Sequence, residues 1–97
     1  MYNKKYRVEK IEQFGRENPI YENMEGCVCY PAYLNIGERG WILCETDTYS
    51  GAYPHRLHTS IIKNVVHTNE HIVITTENTK LTLVDARWYG PNVGFMV

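Results

Sequence analysis

Residues 55–85, HRLHTSIIKNVVHTNEHIVITTENTKLTLVD, constrain the fold more than any other stretch of the chain. They read as three successive strands joined by two tight polar turns, at residues 68–70 and 77–79. In the second strand Ile72, Ile74 and Thr76 share one face, and His71, Val73 and Thr75 share the other. In the third, Leu81 and Leu83 alternate with Thr82 and Val84, the period-2 pattern of a sheet with unequal faces. β-Branched residues dominate and no proline interrupts the ladder. Such a meander cannot stand alone in water, so the rest of the chain must supply the facing sheet.

Within the first of these strands, strict alternation fails at Ile61-Ile62 and Val65-Val66, which are doubled around Lys63-Asn64. A β-bulge or sharp bend rephases a strand in this way, as a small barrel requires where it turns a corner. A helix is the competing pattern, but four β-branched residues weigh against it.

Earlier in the chain, residues 4–11 alternate Tyr6 and Val8 inward with Arg7 and Glu9 outward, a first strand that Phe14-Gly15 ends. Residues 16–26 (RENPIYENMEG) carry loop signals, with Asn18-Pro19 placed to cap a single helical turn through Met24. Residues 26–34 (GCVCYPAYL) are apolar enough to be buried, and Pro31 places them at an edge, a bulge or a bend. After a turn at Asn35-Ile36-Gly37, residues 38–46 form a strand with Trp41 and Leu43 on one face and Ile42 and Cys44 on the other. Both faces are apolar, which marks a central strand. Residues 47–54 (DTYSGAYP) form the longest polar connection, with its own aromatics Tyr49 and Tyr53, the kind of loop where function concentrates. Arg87, Trp88 and Tyr89 extend the last strand until Gly90-Pro91 breaks it, and residues 93–97 are an apolar tail.

These elements sum to an all-β protein: a small, strongly bent antiparallel barrel of five to six strands, with at most one short helical turn. The simplest closure is of the Src-homology-3-like or Sm-like sort, and a two-layer β roll is the alternative. The 97 residues make a single small domain, with 86–97 as a carboxyl-terminal tail.

The net charge of −1 excludes a strong electrostatic footprint for nucleic acid or an acidic membrane. The charge is uneven: +3 over residues 1–16, −5 over 17–53 and +1 over 54–97. The amino terminus has no apolar stretch after its lysines, and no run approaches a membrane span. With three cysteines and no secretory signal, the expectation is a cytoplasmic protein with reduced thiols.

The segments GERGWILCE (residues 37–45), HRLHTSIIKNV (55–65) and IVITTENTKLTL (72–83) resemble a family of small uncharacterised β-rich proteins of low-GC Gram-positive bacteria and their mobile elements. The shared pattern is a glycine turn, a Trp-bearing strand, a basic-histidine loop, a Thr-Ser step into a strand and a Thr-x-Asn-Thr hairpin. The resemblance carries no activity. It implies a context in which small orphan β proteins bind host machinery, as inhibitors of defence systems or as sponges for signalling nucleotides.

Three constellations carry potential chemistry. Cys27 and Cys29 point the same way on a strand, and with Cys44 and His58 they make a conceivable Cys₃His zinc set, although their spacing departs from the usual C-x₂-C turn. The plainer reading is three small core hydrophobes and no metal or other cofactor. Nucleophilic catalysis has Cys44, His55, His58 and Asp47 as its materials, but no nucleophile motif surrounds them, and the chain reads as a non-enzyme. His67 and His71 flank a hairpin turn and read as solvated groups facing each other across it, while Ser60 reads as bonded to backbone where the strand begins.

The third constellation is aromatic and basic: Arg39, Trp41, Tyr49, Tyr53, His55 and Arg56, joined by Arg87, Trp88 and Tyr89. Arg forks grip phosphates and carboxylates, while Trp and Tyr stack on bases or fill a partner's pocket. Too few cations accompany them for a nucleic-acid groove. The expectation is therefore a binding protein, a mobile-element accessory or inhibitor that captures a host protein through residues 47–56 and the neighbouring aromatics. A sponge for a small signalling nucleotide and a zinc-stabilised module are the rivals. Strand edges and the apolar tail also leave room for a homodimer.

Overall fold

The computed structural model describes residues 4–15, 17–21, 24–44 and 56–86. Among them are six strands, β1 (Tyr6–Gln13), β2 (Val28–Tyr33), β3 (Arg39–Cys44), β4 (Arg56–His67), β5 (His71–Thr76) and β6 (Thr79–Asp85), with a 3-10 turn at Pro19–Tyr21 between β1 and β2. Each strand pairs antiparallel with the next, and β1 pairs with β6 from Tyr6↔Asp85 to Gln13↔Thr79, so the sheet closes into a barrel. The barrel reading holds over the two-layer roll. The shortest seam is β1–β2, where Tyr6↔Cys29 and Arg7↔Val28 are continued by backbone bonds from Val8 to Cys27 (2.9 Å) and from Gly26 to Val8 (2.7 Å). The open edge expected to invite a second copy is replaced by this seam. None of the described helical segments is long and apolar enough to cross a membrane.

The irregular spacing in β4 has the cause its sequence suggested. The strand buries Leu57, Thr59 and Ile62 and packs Val65 against the core, a spacing of two and then three and three. The register skips a β4 residue against β3 between Arg39↔Ile61 and Trp41↔His58, and another against β5 between Ile62↔Thr76 and Asn64↔Thr75. Two bulges thus bend one 12-residue strand so that it serves both of its neighbours. β1 bulges between Val8 and Lys10, which moves its inward set from Tyr6 and Val8 to Ile11. β2 bulges between Pro31 and Tyr33, beside the residue that has no N–H to offer the ladder.

The core is the barrel interior: Tyr6, Val8, Ile42, Leu57, Ile62, Ile72, Ile74, Leu81 and Leu83, with Tyr21 and Met24 packed onto it from the β1–β2 connection. The buried threonines are satisfied locally. Thr76 Oγ1 accepts from the backbone N–H of Asn78 (3.1 Å) and of Thr79 (3.0 Å), which closes the β5–β6 turn. Asp85, 1% exposed, accepts from Lys4 Nζ at 3.1 Å and ties the end of β6 to the start of β1.

Three expectations need adjustment. β3 is flanked on both sides as predicted, yet its second apolar face is not interior: Ile42 and Cys44 point inward, while Trp41 is half-buried and Leu43 is 37% exposed. A closed ring has one inside, so the second apolar face lies on the outer wall. His67 and His71 part company instead of facing each other; His67 Nε2 lies 3.4 Å from Tyr6 Oη, and His71 Nε2 lies 3.4 Å from Glu9 Oε1. Finally, it is Thr59, not Ser60, whose hydroxyl bonds backbone where β4 begins: it accepts from the Gly40 N–H (2.8 Å) and donates to the Ser60 carbonyl (2.7 Å).

Candidate functional site

The outward positions of β2, β3 and β4 form two rows. Cross-strand pairing aligns Tyr30, Leu43 and Arg56 in one row and Tyr33, Trp41 and His58 in the other. The Arg56 guanidinium lies over the Trp41 ring, with Cζ 5.2 Å from its centroid. The His58 ring meets Trp41 edge-on, with centroids 3.5 Å apart and planes at 76°. Lys5 Nζ lies 5.8 Å from the Tyr30 ring centroid and extends the pattern to the chain's amino-terminal side. Arg56 pairs with Leu43 and reaches the Trp41 ring diagonally, where the field of the ring attracts the guanidinium, while His58 is the direct cross-strand partner of Trp41.

At one end of this face the barrel opens into a cleft of about 530 Å³ lined by Gln13, Glu17, Asn18, Pro19, Tyr21, Arg39, His58, Ser60, Asn78 and Thr79. Arg39 is held there by its Nε, which donates to the Thr59 carbonyl at 2.9 Å. Ser60 Oγ accepts from Asn78 Nδ2 at 2.9 Å, linking β4 to the β5–β6 turn. The Tyr21 hydroxyl has its pKa raised by burial, an effect partly offset by a hydrogen bond with Thr79 and by the charge of Arg39. Nearby, the Tyr33 hydroxyl donates to Glu38 Oε1 (2.7 Å) and accepts from Asn35 Nδ2 (2.8 Å). That bond to Glu38 is what raises the Tyr33 pKa.

Of the sequence-predicted binding residues, Arg39, Trp41 and Arg56 are gathered on one wall, with Arg39 turned to the cleft. Tyr49, Tyr53 and His55, like Asp47, Arg87, Trp88, Tyr89 and the tail, lie outside the described residues, as does most of the 47–56 loop. The cysteines go the other way. Cys27, Cys29 and Cys44 are buried, and Cys29 and Cys44 are cross-strand partners of β2 and β3. His58 stands on the outer wall against Trp41, so the Cys₃His set does not converge. No group of three or more His, Cys, Asp or Glu side chains is placed to hold a metal among the described residues. Burial, reinforced by nearby Cys27, pushes the Cys44 thiol up to about 11, which keeps it protonated at neutral pH.

Sequence reasoning missed Lys5, Tyr30, Leu43, Ser60, Asn78 and Tyr21. The alternation of β2 and β3 held the signal for Tyr30 and Leu43, which follow once one face is known to be the outer wall. Nothing local marks Asn78 and Ser60 as neighbours, because it is the β4–β5 register, Ile62↔Thr76 continued by the Glu77 N–H to the Ile61 carbonyl, that brings the 77–78 turn against the middle of β4. Comparison with known proteins finds no family model, curated protein or solved structure that matches the chain.

Proposed function

We propose that this chain is a non-enzymatic binding protein that captures a protein partner through the outer wall of β2–β4, with Trp41, Leu43 and Arg56 at the centre of the contact. The observation that carries the reading is the ordered Arg56–Trp41–His58 stack. Trp and Arg are the side chains that most often dominate protein interfaces, and here each restrains the other before any partner arrives, which lowers the entropy lost on binding. Leu43 and Tyr30 beside the stack add the apolar area that a desolvated contact centre needs. The wall carries Lys5 and Arg56, so the complementary partner surface is acidic. The stack also speaks against a base stacked on Trp41, since Arg56 already lies over the ring and His58 meets its edge. The resemblance to small β proteins of mobile elements supplies the context: an accessory or inhibitor protein whose target is a component of host defence.

The test is affinity capture from host extract with the parent protein, Arg56→Glu and Lys63→Glu immobilised in parallel. Lys63 is exposed and lies away from the stack. The expected outcome is one host protein retained by the parent and by Lys63→Glu and lost from Arg56→Glu, with all three melting alike. Equal retention by Arg56→Glu ends the assignment of this wall.

A further inference from the structure

The cleft beside that wall is built differently from it: its lining is mainly polar, with Arg39 as its guanidinium and Glu17 as its carboxylate. The bond from Arg39 Nε to the Thr59 carbonyl (2.9 Å) places the guanidinium head beside the residue that separates His58 from Ser60. All three of these side chains line the cleft. Among the described residues, the terminal amino groups of Arg39 and the ring nitrogens of His58 make no hydrogen bond. Ser60 Oγ is engaged as an acceptor by Asn78 Nδ2, which leaves its O–H proton to donate inward. A guanidinium fork from β3 and an imidazole and a hydroxyl from β4, all lining one cleft, are the donor set that a tetrahedral oxyanion needs.

We propose that the cleft binds a small phosphate monoester bearing hydroxyl groups, of sugar-phosphate to nucleoside-monophosphate size. Arg39, His58 and Ser60 hold the phosphate oxygens, and Asn78 and Glu17 bond the hydroxyls. The volume of about 530 Å³ falls within the range of small-molecule sites and far exceeds what a bare phosphate fills. The mainly polar lining disfavours an apolar ligand. Glu17, the acid among the described lining residues, accepts from ligand hydroxyls and repels polyphosphates. The site shares His58 with the outer-wall stack, but Trp41, Leu43 and Arg56 do not line it, so Arg56→Glu tests the wall and Arg39→Gln tests the cleft.

Titration calorimetry at matched ionic strength tests the assignment with ribose 5-phosphate, ribose, inorganic phosphate and gluconate as probes. The expected result is saturable binding of ribose 5-phosphate, weaker binding of the other three, and a loss of roughly tenfold or more in Arg39→Gln, since a charge-assisted bond is removed. Ser60→Ala weakens binding too and carries the test if Arg39→Gln fails to fold; Lys63→Gln retains parental affinity. Absence of saturable ribose 5-phosphate binding overturns the site, as does full binding by a folded Arg39→Gln. Equal affinity for inorganic phosphate overturns the organic ligand class, and equal affinity for gluconate overturns the phosphate assignment.

Discussion

At the residue scale, Gly40 decides how closely β3 and β4 approach where the first bulge forms. An added Cβ meets Ile62 Cδ1 at 2.8 Å, the Tyr33 carbonyl oxygen at 3.1 Å and Thr59 Oγ1 at 3.2 Å. Two of these neighbours are fixed, one by the backbone and the other by its hydrogen bond to Gly40 itself. Gly40→Ala is therefore expected to cost about 1–3 kcal/mol, as overpacking of a tight core does, read as a lower urea midpoint with unchanged slope. A midpoint equal to the parent's means that β3 can shift outward freely, and the close approach is not what seats the bulge. Arg39 and Trp41 both lie on the outward face of β3, but only Arg39 lines the cleft, held there by its bond to the Thr59 carbonyl within the bulged stretch of β4.

At the element scale, the β5–β6 hairpin carries more than its two strands. Thr76 Oγ1 accepts two backbone N–H bonds and pairs with Thr79 Oγ1 at 2.9 Å, all buried or nearly so. Thr76→Val keeps the shape and removes the acceptor, leaving those donors unsatisfied at an expected cost of about 1–3 kcal/mol in urea unfolding. Because the turn holds Asn78 against Ser60, the amides of residues 77–79 are expected to lose hydrogen-exchange protection in this variant before those of β1 do. Uniform protection loss across all strands contradicts a local role for the threonine. β4 is the other telling element. Its inward positions, Leu57, Thr59, Ile62 and Val65, are spaced so that a helical pattern competes on paper. β-Branching and the bulges resolve that competition, since each bulge converts a spacing of two into three while the strand bends but stays in the ladder.

At the scale of the whole molecule, closure buries groups that titrate at alkaline pH. The Cys44 thiol is raised from 9.0 to about 11, and Tyr21 is raised as well, both chiefly by burial. Below pH 9 the thiol is protonated in both states and contributes no slope. Between 9 and about 11 the unfolded chain has released the proton that the folded chain retains, so stability falls as pH rises through this window. The melting temperature of the parent is expected to drop across it and that of Cys44→Ala to drop less. Parallel profiles for the two proteins assign the alkaline loss to other groups.

Much of this architecture was legible without coordinates. Period-2 burial named the inward residues of β5 and β6, the doubled Ile61-Ile62 and Val65-Val66 flanked the second bulge of β4 but not the first, opposite Gly40, and Pro31 marked the irregular point of β2. These are local consequences of backbone geometry, so a linear chain displays them. The candidate site was only half legible. Residue type alone drew Arg39, Trp41 and Arg56 together as candidates, but which face of β3 is the outside depends on ring closure, and closure is a property of all six strands at once. That is why Leu43 and Tyr30 were passed over and the cysteines were considered as ligands beside a histidine that stands on the other side of the wall. The cleft depended still more on tertiary structure. Its donors come from β3, β4, the β5–β6 turn and the β1–β2 connection, segments whose proximity no spacing encodes. The sequence by itself determined which residues alternate, bulge and turn, because those follow from neighbours along the backbone. Only the tertiary structure decided which of them meet, because that follows from how the bent sheet closes.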